Sequence, residues 1–325
     1  MSLLEIRDLT AAFLFEGKPV PVISNVSFCV EEGEILGVVG ESGSGKSVTA
    51  KHVMQLLPSP PASVLGGEII FKGQNLLKFS DKEMRKIRGN QISMIFQEPM
   101  TSLNPVYTCG NQIMEAIILH QNTSKKEAAK KAAELLKLVG MSMPEQRLKN
   151  YPHELSGGMR QRVMIAMALS SNPSLLIADE PTTALDPTIQ AQIIELIQNL
   201  QRQLGMSVLY ITHDLGVVAE LCHRVVVMYA GMVMEIADTK TLFANPMHPY
   251  TQGLMKAMPR MNSGGERLNS IDGVVPHITQ MPEGCHFHPR CPHACEICRQ
   301  SCPPLEDVGG GHMVRCHLAR ELGKE

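Results

Sequence analysis

Short apolar runs and longer amphipathic stretches alternate through the first 240 residues or so of this chain. Glu34–Val39, Ile92–Phe96, Ser174–Ala178 and Ser207–Ile211 are compact apolar runs of the length expected for strands buried on both faces. Residues 3–9 and 24–30 read as two further strands, Gly66–Gly73 as a strand bounded by glycines, and Val225–Val233 as a hairpin around Gly231. Between these runs the period changes to that of a helix. Val48–Met54 can start one, and Ser80-Asp81-Lys82-Glu83 is a capping box that opens another. Ile189, Ile193, Leu196, Ile197, Leu200 and Leu204 share one face of a helix over 188–204, which Gly205 stops.

The stretch from about 106 to 170 is mostly helical, and its best-marked helix runs from Ser124, with Glu127 three residues on, to just before Gly140. Pro99 and Pro105 exclude regular structure between the strand ending at Phe96 and that stretch. The expectation is an α/β fold with a helical subdomain over about 98–170. Beyond about 240, prolines and cysteines replace the α/β rhythm, with a boundary between 235 and 262. The chain is thus divided into 1–250 and 251–325.

Composition narrows the class. At 325 residues there is room for about two domains. A formal net charge of −2 gives no general attraction to nucleic acid. Aromatics make up only 4% and Trp is absent, so the core must be aliphatic and rich in Met. The start, Met1-Ser2-Leu3-Leu4-Glu5-Ile6-Arg7, meets charges too early for a secretory signal. The longest weakly polar run, Val163–Ala178, is broken by Ser170–Ser174, so no membrane span is expected and the chain reads as soluble and cytoplasmic.

The chemistry gathers around Gly40-Glu41-Ser42-Gly43-Ser44-Gly45-Lys46-Ser47, which fits G-x-x-x-x-G-K-[ST] between a strand and a helix. Its glycines let backbone N–H groups converge on phosphate, and the helix adds its positive end. Lys46 is assigned to the outer phosphates and Ser47 to Mg²⁺. Asp179 and Glu180 end a buried strand, the one suited to Mg²⁺ and the other to orienting or deprotonating water. Gln97 and His213 also stand at strand ends, within reach of Mg²⁺ with its water and of the γ-phosphate respectively. Ser156-Gly157-Gly158 opens a helix and forms a second phosphate receptor. One nucleotide scarcely needs two cradles from one chain, so the second closes on a nucleotide held by a partner. Phe13, with Phe15 its rival, is a candidate adenine stacker or simple packing under a hairpin.

In these motifs the chain resembles the ATP-binding-cassette (ABC) ATPases. The phosphate loop, Gln97, Leu155-Ser156-Gly157-Gly158, Leu175–Glu180, Ala184-Leu185-Asp186 and His213 follow in the family's order over residues 1–240. The resemblance implies a head-to-tail dimer with ATP between one chain's phosphate loop and the other's signature helix. Glu180 is then the catalytic base, His213 the γ-phosphate contact, Phe13 the adenine stacker and Asp186 part of the D-loop. Mg²⁺ falls to Ser47, Gln97 and Asp179. ATP lies on Gly40, Ser42, Gly43, Ser44, Gly45, Lys46, Ser47 and Val48. At Val48 many members carry Thr or Ser, but its backbone N–H still serves.

A narrower resemblance rests on Gln97-Glu98-Pro99-Met100-Thr101-Ser102-Leu103-Asn104-Pro105, on His248-Pro249-Tyr250-Thr251 and on Gly284–Pro292. It is to ATP-binding subunits of bacterial dipeptide and oligopeptide importers, a pattern nickel importers largely share. The resemblance implies two membrane permeases, a second related ATPase in a heterodimer, an extracytoplasmic substrate-binding protein, no nucleic acid, and a peripheral place on the cytoplasmic face of the cell membrane. A nickel or other small-solute importer is the alternative, and a soluble cassette acting on nucleic acid or ribosomes a weaker one.

Six of the nine cysteines crowd the C-terminal part, where a reducing compartment favours metal over disulfides. The importer resemblance implies a [4Fe-4S] cluster on Cys285, Cys291, Cys298 and Cys316, the number of thiolates such a cluster takes. The C-x-x-C at Cys295–Cys298 and five nearby histidines leave zinc open. Cys295 and Cys302 fall outside the family pattern.

Overall fold

The computed structural model describes residues 2–98, 102–183, 185–258 and 271–322. From the N-terminus come β1 (Ser2–Phe15), β2 (Lys18–Glu31), β3 (Ile35–Val39), α1 (Lys46–Val53), β4 (Ala62–Phe71), β5 (Gln74–Asn75), α2 (Asp81–Ile87) and β6 (Ile92–Ile95). The helical stretch supplies α3 (Cys109–Gln121), α4 (Lys125–Leu138), α5 (Pro144–Arg147) and α6 (Gly157–Ala168). Then follow β7 (Leu175–Asp179), α7 (Pro187–Leu204), β8 (Ser207–Thr212), α8 (Leu215–Leu221), β9 (Arg224–Tyr229) and β10 (Met232–Asp238). The chain ends through α9 (Thr239–Ala244), α10 (Pro249–Lys256), α11 (Glu296–Gln300), β11 (Glu306–Asp307), β12 (Met313–Val314) and α12 (Ala319–Leu322).

These elements form two compact units, one of residues 31–34 and 78–211, the other of 2–30, 35–77 and 212–325. In the first, β6, β7 and β8 run parallel, with Ile92 opposite Leu175 and Asp179 opposite Ile211. Every residue of β7 is buried, which is why it reads as an unbroken apolar run. Within the helical stretch, α4 turns Ala128, Ala132 and Leu136 inward behind the Ser124–Glu127 capping box. The long α7 buries Ile193, Ile197 and Leu200 and ends on Gly205 at φ 66°, as its pattern predicts.

The second unit holds an antiparallel sheet in the order β2–β1–β4–β5 and a run of strands in the order β3–β9–β10–β12–β11. β3 and β9 are parallel, and the β9–β10 hairpin turns through Ala230 and Gly231, both at positive φ. The first strands are twice as long as their apolar runs suggest. β1 and β2 extend through Thr10–Phe15 and Lys18–Ile23, where buried Ala11, Ala12 and Ile23 mix with exposed Leu14, Phe15 and Lys18, to a turn at Glu16 and Gly17, again both at positive φ. Phe13 therefore lies within β1, opposite Ala62 of β4, rather than between two strands.

The residues after 270 do not stand apart from the second unit. β12 pairs with β10 through Glu235 opposite Val314 and Ile236 opposite Met313. Beside it, buried Arg315 donates from Nε to the Val233 carbonyl at 2.7 Å and from Nη1 to the Pro303 carbonyl at 3.1 Å. Sequence thus changes character near 250 while the compact unit runs on, because two short strands extend a sheet already present. Among the described residues no helix is long and apolar enough to cross a membrane.

Candidate nucleotide site and cysteine pocket

The phosphate loop leaves β3 at Gly40, where φ is 152° and an added Cβ would lie 2.1 Å from the Met228 carbonyl oxygen. No side chain fits there. The loop closes with a Ser44 N–H to Glu41 carbonyl bond and enters α1 through Gly45 in the left-handed region. Lys46 is buried, and its Nζ donates to the carbonyls of Gly40 at 2.7 Å and Glu41 at 3.0 Å and to Ser44 Oγ at 3.3 Å. Its ammonium is thereby held over the loop rather than extended into solvent. Ser42 and Gly43 are exposed at the tip, and Ser47 and Val48 are half-buried in the first turn of α1.

The acidic pair stands in the other unit. Asp179 is buried at the end of β7. Glu180 follows at φ 47°, a left-handed conformation that costs a non-glycine residue about 1–3 kcal/mol and often marks a functional position. Gln97 Nε2 donates to Glu180 Oε2 at 3.1 Å, so the residue leading into the helical stretch touches the residue assigned as base. Thr183 Oγ1 donates to the same oxygen at 2.9 Å. Sequence reasoning missed Thr183. Its signal is only a hydroxyl three residues after Glu180, in a turn closed by its own N–H to the Glu180 carbonyl.

Ser156 is the exposed N-cap of α6, its Oγ accepting from the Met159 N–H at 3.4 Å. A Cβ on Gly158 would meet Ile189 Cγ2 at 2.8 Å, so the second signature glycine is required where α6 packs on α7. Asp186 caps α7, its Oδ1 accepting from the Ile189 N–H at 3.0 Å. Ala184 of the same motif, and Pro99, Met100 and Thr101 of the Gln97 motif, lie outside the described residues. His213 is exposed after β8, on the turn where Asp214 caps α8 through the Gly216 and Val217 N–H groups. Phe13 is half-buried and Phe15 is 48% exposed.

An open groove on the helical stretch is lined by Tyr107, Asn111, Met114, Glu115, Ile118, Leu119 and Lys125. Its apolar members are unusually bare for such residues, with Leu119 74% exposed and neighbouring Val106 71%.

Cys285, Cys291, Cys298 and Cys316 all line one cavity of the second unit, together with His248, Phe287, His293 and His317. Burial pushes the thiols of Cys285, Cys291 and Cys316 up to about 11. Among the described residues no three side chains converge closely enough to ligate one metal ion. Cys295 Sγ lies 3.4 Å from Cys298 Sγ, and Cys302 contacts Met232 instead.

A family described as ABC transporter matches residues 23–183, and one described as the oligopeptide/dipeptide transporter C-terminal region matches 234–298. A probable peptide ABC transporter ATP-binding protein of Sinorhizobium fredii is 54% identical over 98% of this chain and 96% of its own. The chain belongs to the ATP-binding proteins of ABC transporters. Oligopeptide transport ATP-binding protein AppD of Bacillus subtilis is 51% identical to this cassette over 100% of the chain and 99% of its own. An ATP-binding cassette solved as a dimer after hydrolysis, with ADP and phosphate, superposes with a TM-score of 0.65 at 29% identity. It covers 73% of this chain and 98% of its own. The cassette is therefore an ATPase with the α/β P-loop fold of that family.

Proposed function

We propose that this ATPase is the motor subunit of a bacterial importer for dipeptides or oligopeptides. The relatives named for peptide transport match it end to end, which supports the reading beyond the cassette alone. In the proposal the phosphate loop, Gly40 to Val48, binds ATP with Lys46 on the outer phosphates. Ser47, Gln97 and Asp179 hold Mg²⁺, Glu180 activates water, His213 contacts the γ-phosphate and Phe13 stacks on adenine. Ser156, Gly157 and Gly158, with Asp186, serve the nucleotide of a partner ATPase. Residues 98–170 are the part that moves with the permeases and 251–325 the C-terminal module.

The observation that carries this reading is the Gln97–Glu180 hydrogen bond. It ties the hydrolytic carboxylate to the segment entering the helical stretch, so a change in one is felt by the other. Two permeases, a second ATPase in a heterodimer and an extracytoplasmic substrate-binding protein complete the proposed assembly, at the cytoplasmic face of the membrane. The bare apolar groove around Ile118 and Leu119 supports a permease contact. In the proposal Cys285, Cys291, Cys298 and Cys316 would hold a [4Fe-4S] cluster, with zinc the alternative; bound there, it would supply a cross-link between segments from 285 to 316.

The test is Glu180→Gln in the assembled transporter. ATP binding is retained while turnover falls about 10²–10⁴-fold, the usual worth of a positioned base. Turnover at the parental rate refutes the assignment.

A further inference from the structure

Glu41 is the one charged residue at the variable positions of the phosphate loop, and its carboxylate is gripped from far along the chain. Arg290 Nη1 donates to Glu41 Oε2 at 2.7 Å and Nη2 donates to Oε1 at 3.1 Å. Only 4% of the Arg290 side chain is exposed. The rest of its guanidinium is also fixed. Nε donates to the Asp272 carbonyl at 3.0 Å, Nη2 to the Ile271 carbonyl at 3.1 Å, and the plane lies over the Tyr229 ring at 5.6 Å. From the other side, the Glu41 N–H donates to Tyr250 Oη at 2.9 Å. Both the side chain and the backbone of Glu41 are therefore held by residues outside the loop. Its carbonyl in turn takes the Lys46 ammonium.

Arg290 itself lies in the segment between Cys285 and Cys291, where its neighbours Phe287 and His288 line the cysteine cavity. It closes a short 3₁₀ turn over His288–Arg290, between Cys285 and Cys291. The His288 N–H donates to the Cys285 carbonyl, and the Cys291 N–H to the His288 carbonyl. Phe287, one residue earlier, packs on Tyr229 at 5.2 Å and Tyr250 at 5.4 Å. In a chain this poor in aromatics, three of them meet here, joining the cysteine turn to the two tyrosines that brace Glu41 and Arg290. A rigid contact with two such ends passes a displacement from one to the other.

We propose that Arg290 is a positioning residue for the phosphate loop, through which the cysteine pocket sets the affinity for ATP and ATP in turn protects the pocket. The proposal rests on the reading that this loop binds ATP. It concerns binding rather than chemistry, since neither Arg290 nor Glu41 is assigned to the reacting atoms. Coupling between two sites is reciprocal in binding free energy, so both directions must appear together.

The full-length protein is titrated with a fluorescent ATP analogue at a temperature where every variant used is folded. Arg290→Ala is expected to raise Kd about tenfold, within the usual range of coupling between sites. Arg290→Lys gives a smaller rise, because an ammonium cannot bridge both carboxylate oxygens. Glu41→Ala matches Arg290→Ala, and the double variant adds little. In parallel, alkylation of Cys285 and Cys291 is followed by mass spectrometry with and without saturating ATP. ATP slows it severalfold in the parent protein and not in Arg290→Ala.

Unchanged affinity in folded Arg290→Ala, with or without a loss of thermal stability, makes the ion pair a mere tether and overturns the proposal. Should that variant not fold, Arg290→Lys and Glu41→Gln replace it, and parental affinity in both has the same consequence. Failure of the parent protein to bind the analogue condemns instead the reading of the loop.

Discussion

Glu180 shows how much a single residue's backbone can say. Its left-handed φ is unfavourable for a side chain bearing a Cβ, yet the residue is fixed there by its N–H to the Ile211 carbonyl and by Gln97 and Thr183 on one carboxylate oxygen. Thr183→Val keeps the shape and removes that hydroxyl. The expected result is a fall in turnover of about tenfold with KM for ATP little changed, because the base is less well oriented while the phosphate loop is untouched. Steady-state kinetics separates the two parameters. Gly158 makes the complementary case, where sequence suggested phosphate recognition and the structure adds a packing requirement. Gly158→Ala pushes a methyl against Ile189 and should cost about 1–3 kcal/mol, read as a lower urea midpoint. A midpoint at the parental value would mean that α6 shifts freely against α7.

Elements whose signal is local were legible in the sequence. The capping boxes at Ser80 and Ser124 and the Gly205 stop depend on neighbours within four residues, and each appears where its pattern puts it. The buried strands β3, β6, β7 and β8 were equally plain, since an apolar run has few other places to go. What stayed hidden is non-local. The outer halves of β1 and β2, Thr10–Phe15 and Lys18–Ile23, carry no clean alternation and are strands because a partner strand lies alongside, and β12 is two residues long. No local pattern encodes the bond between Glu41 and Arg290, which are 249 positions apart. The motif residues themselves were readable, but Thr183, which touches one of them, was not.

One side chain sets the start of α7. Asp186 is both its N-cap and a proposed D-loop residue, and Asn caps as well as Asp whereas Ala does not. Asp186→Ala should lose about 1 kcal/mol of stability, and Asp186→Asn almost none. Denaturation of both variants checks the cap. An Asn variant of normal stability with impaired turnover isolates the carboxylate's role in the D-loop.

For the whole molecule, pH acts through histidines held neutral by burial. His52 is 5% exposed, its ring nitrogen Nδ1 pairs with the Val48 carbonyl at 2.9 Å, and burial lowers it below the ordinary value of 6.5. Burial lowers His120 in the same direction. The unfolded chain therefore takes up protons as pH falls through 6.5, while the folded chain does not until a lower pH. Stability from these groups is complete above 6.5 and declines below it. Urea midpoints at pH 7.5 and 5.5 should fall with acidity, and less so in His52→Gln.

Catalysis is expected to need two chains, whatever the cargo. Ser156→Arg places a bulky cation on the exposed N-terminus of α6, which leaves this chain's own phosphate loop intact but spoils what it offers a partner. Lys46→Ala has the opposite defect, an impaired loop and an intact signature. Each variant alone should hydrolyse ATP at no more than a few per cent of the parental rate, the loss of a positioned charge being worth about 10²–10³ in turnover. If a site is built from one chain's loop and another's signature, mixing the two variants makes some dimers with one complete site, and activity reappears. If each chain contains a whole site, no mixture has one. When the native dimer pairs this chain with a related ATPase, the same two substitutions are divided between the two subunits, and the rescue is read in the co-purified assembly.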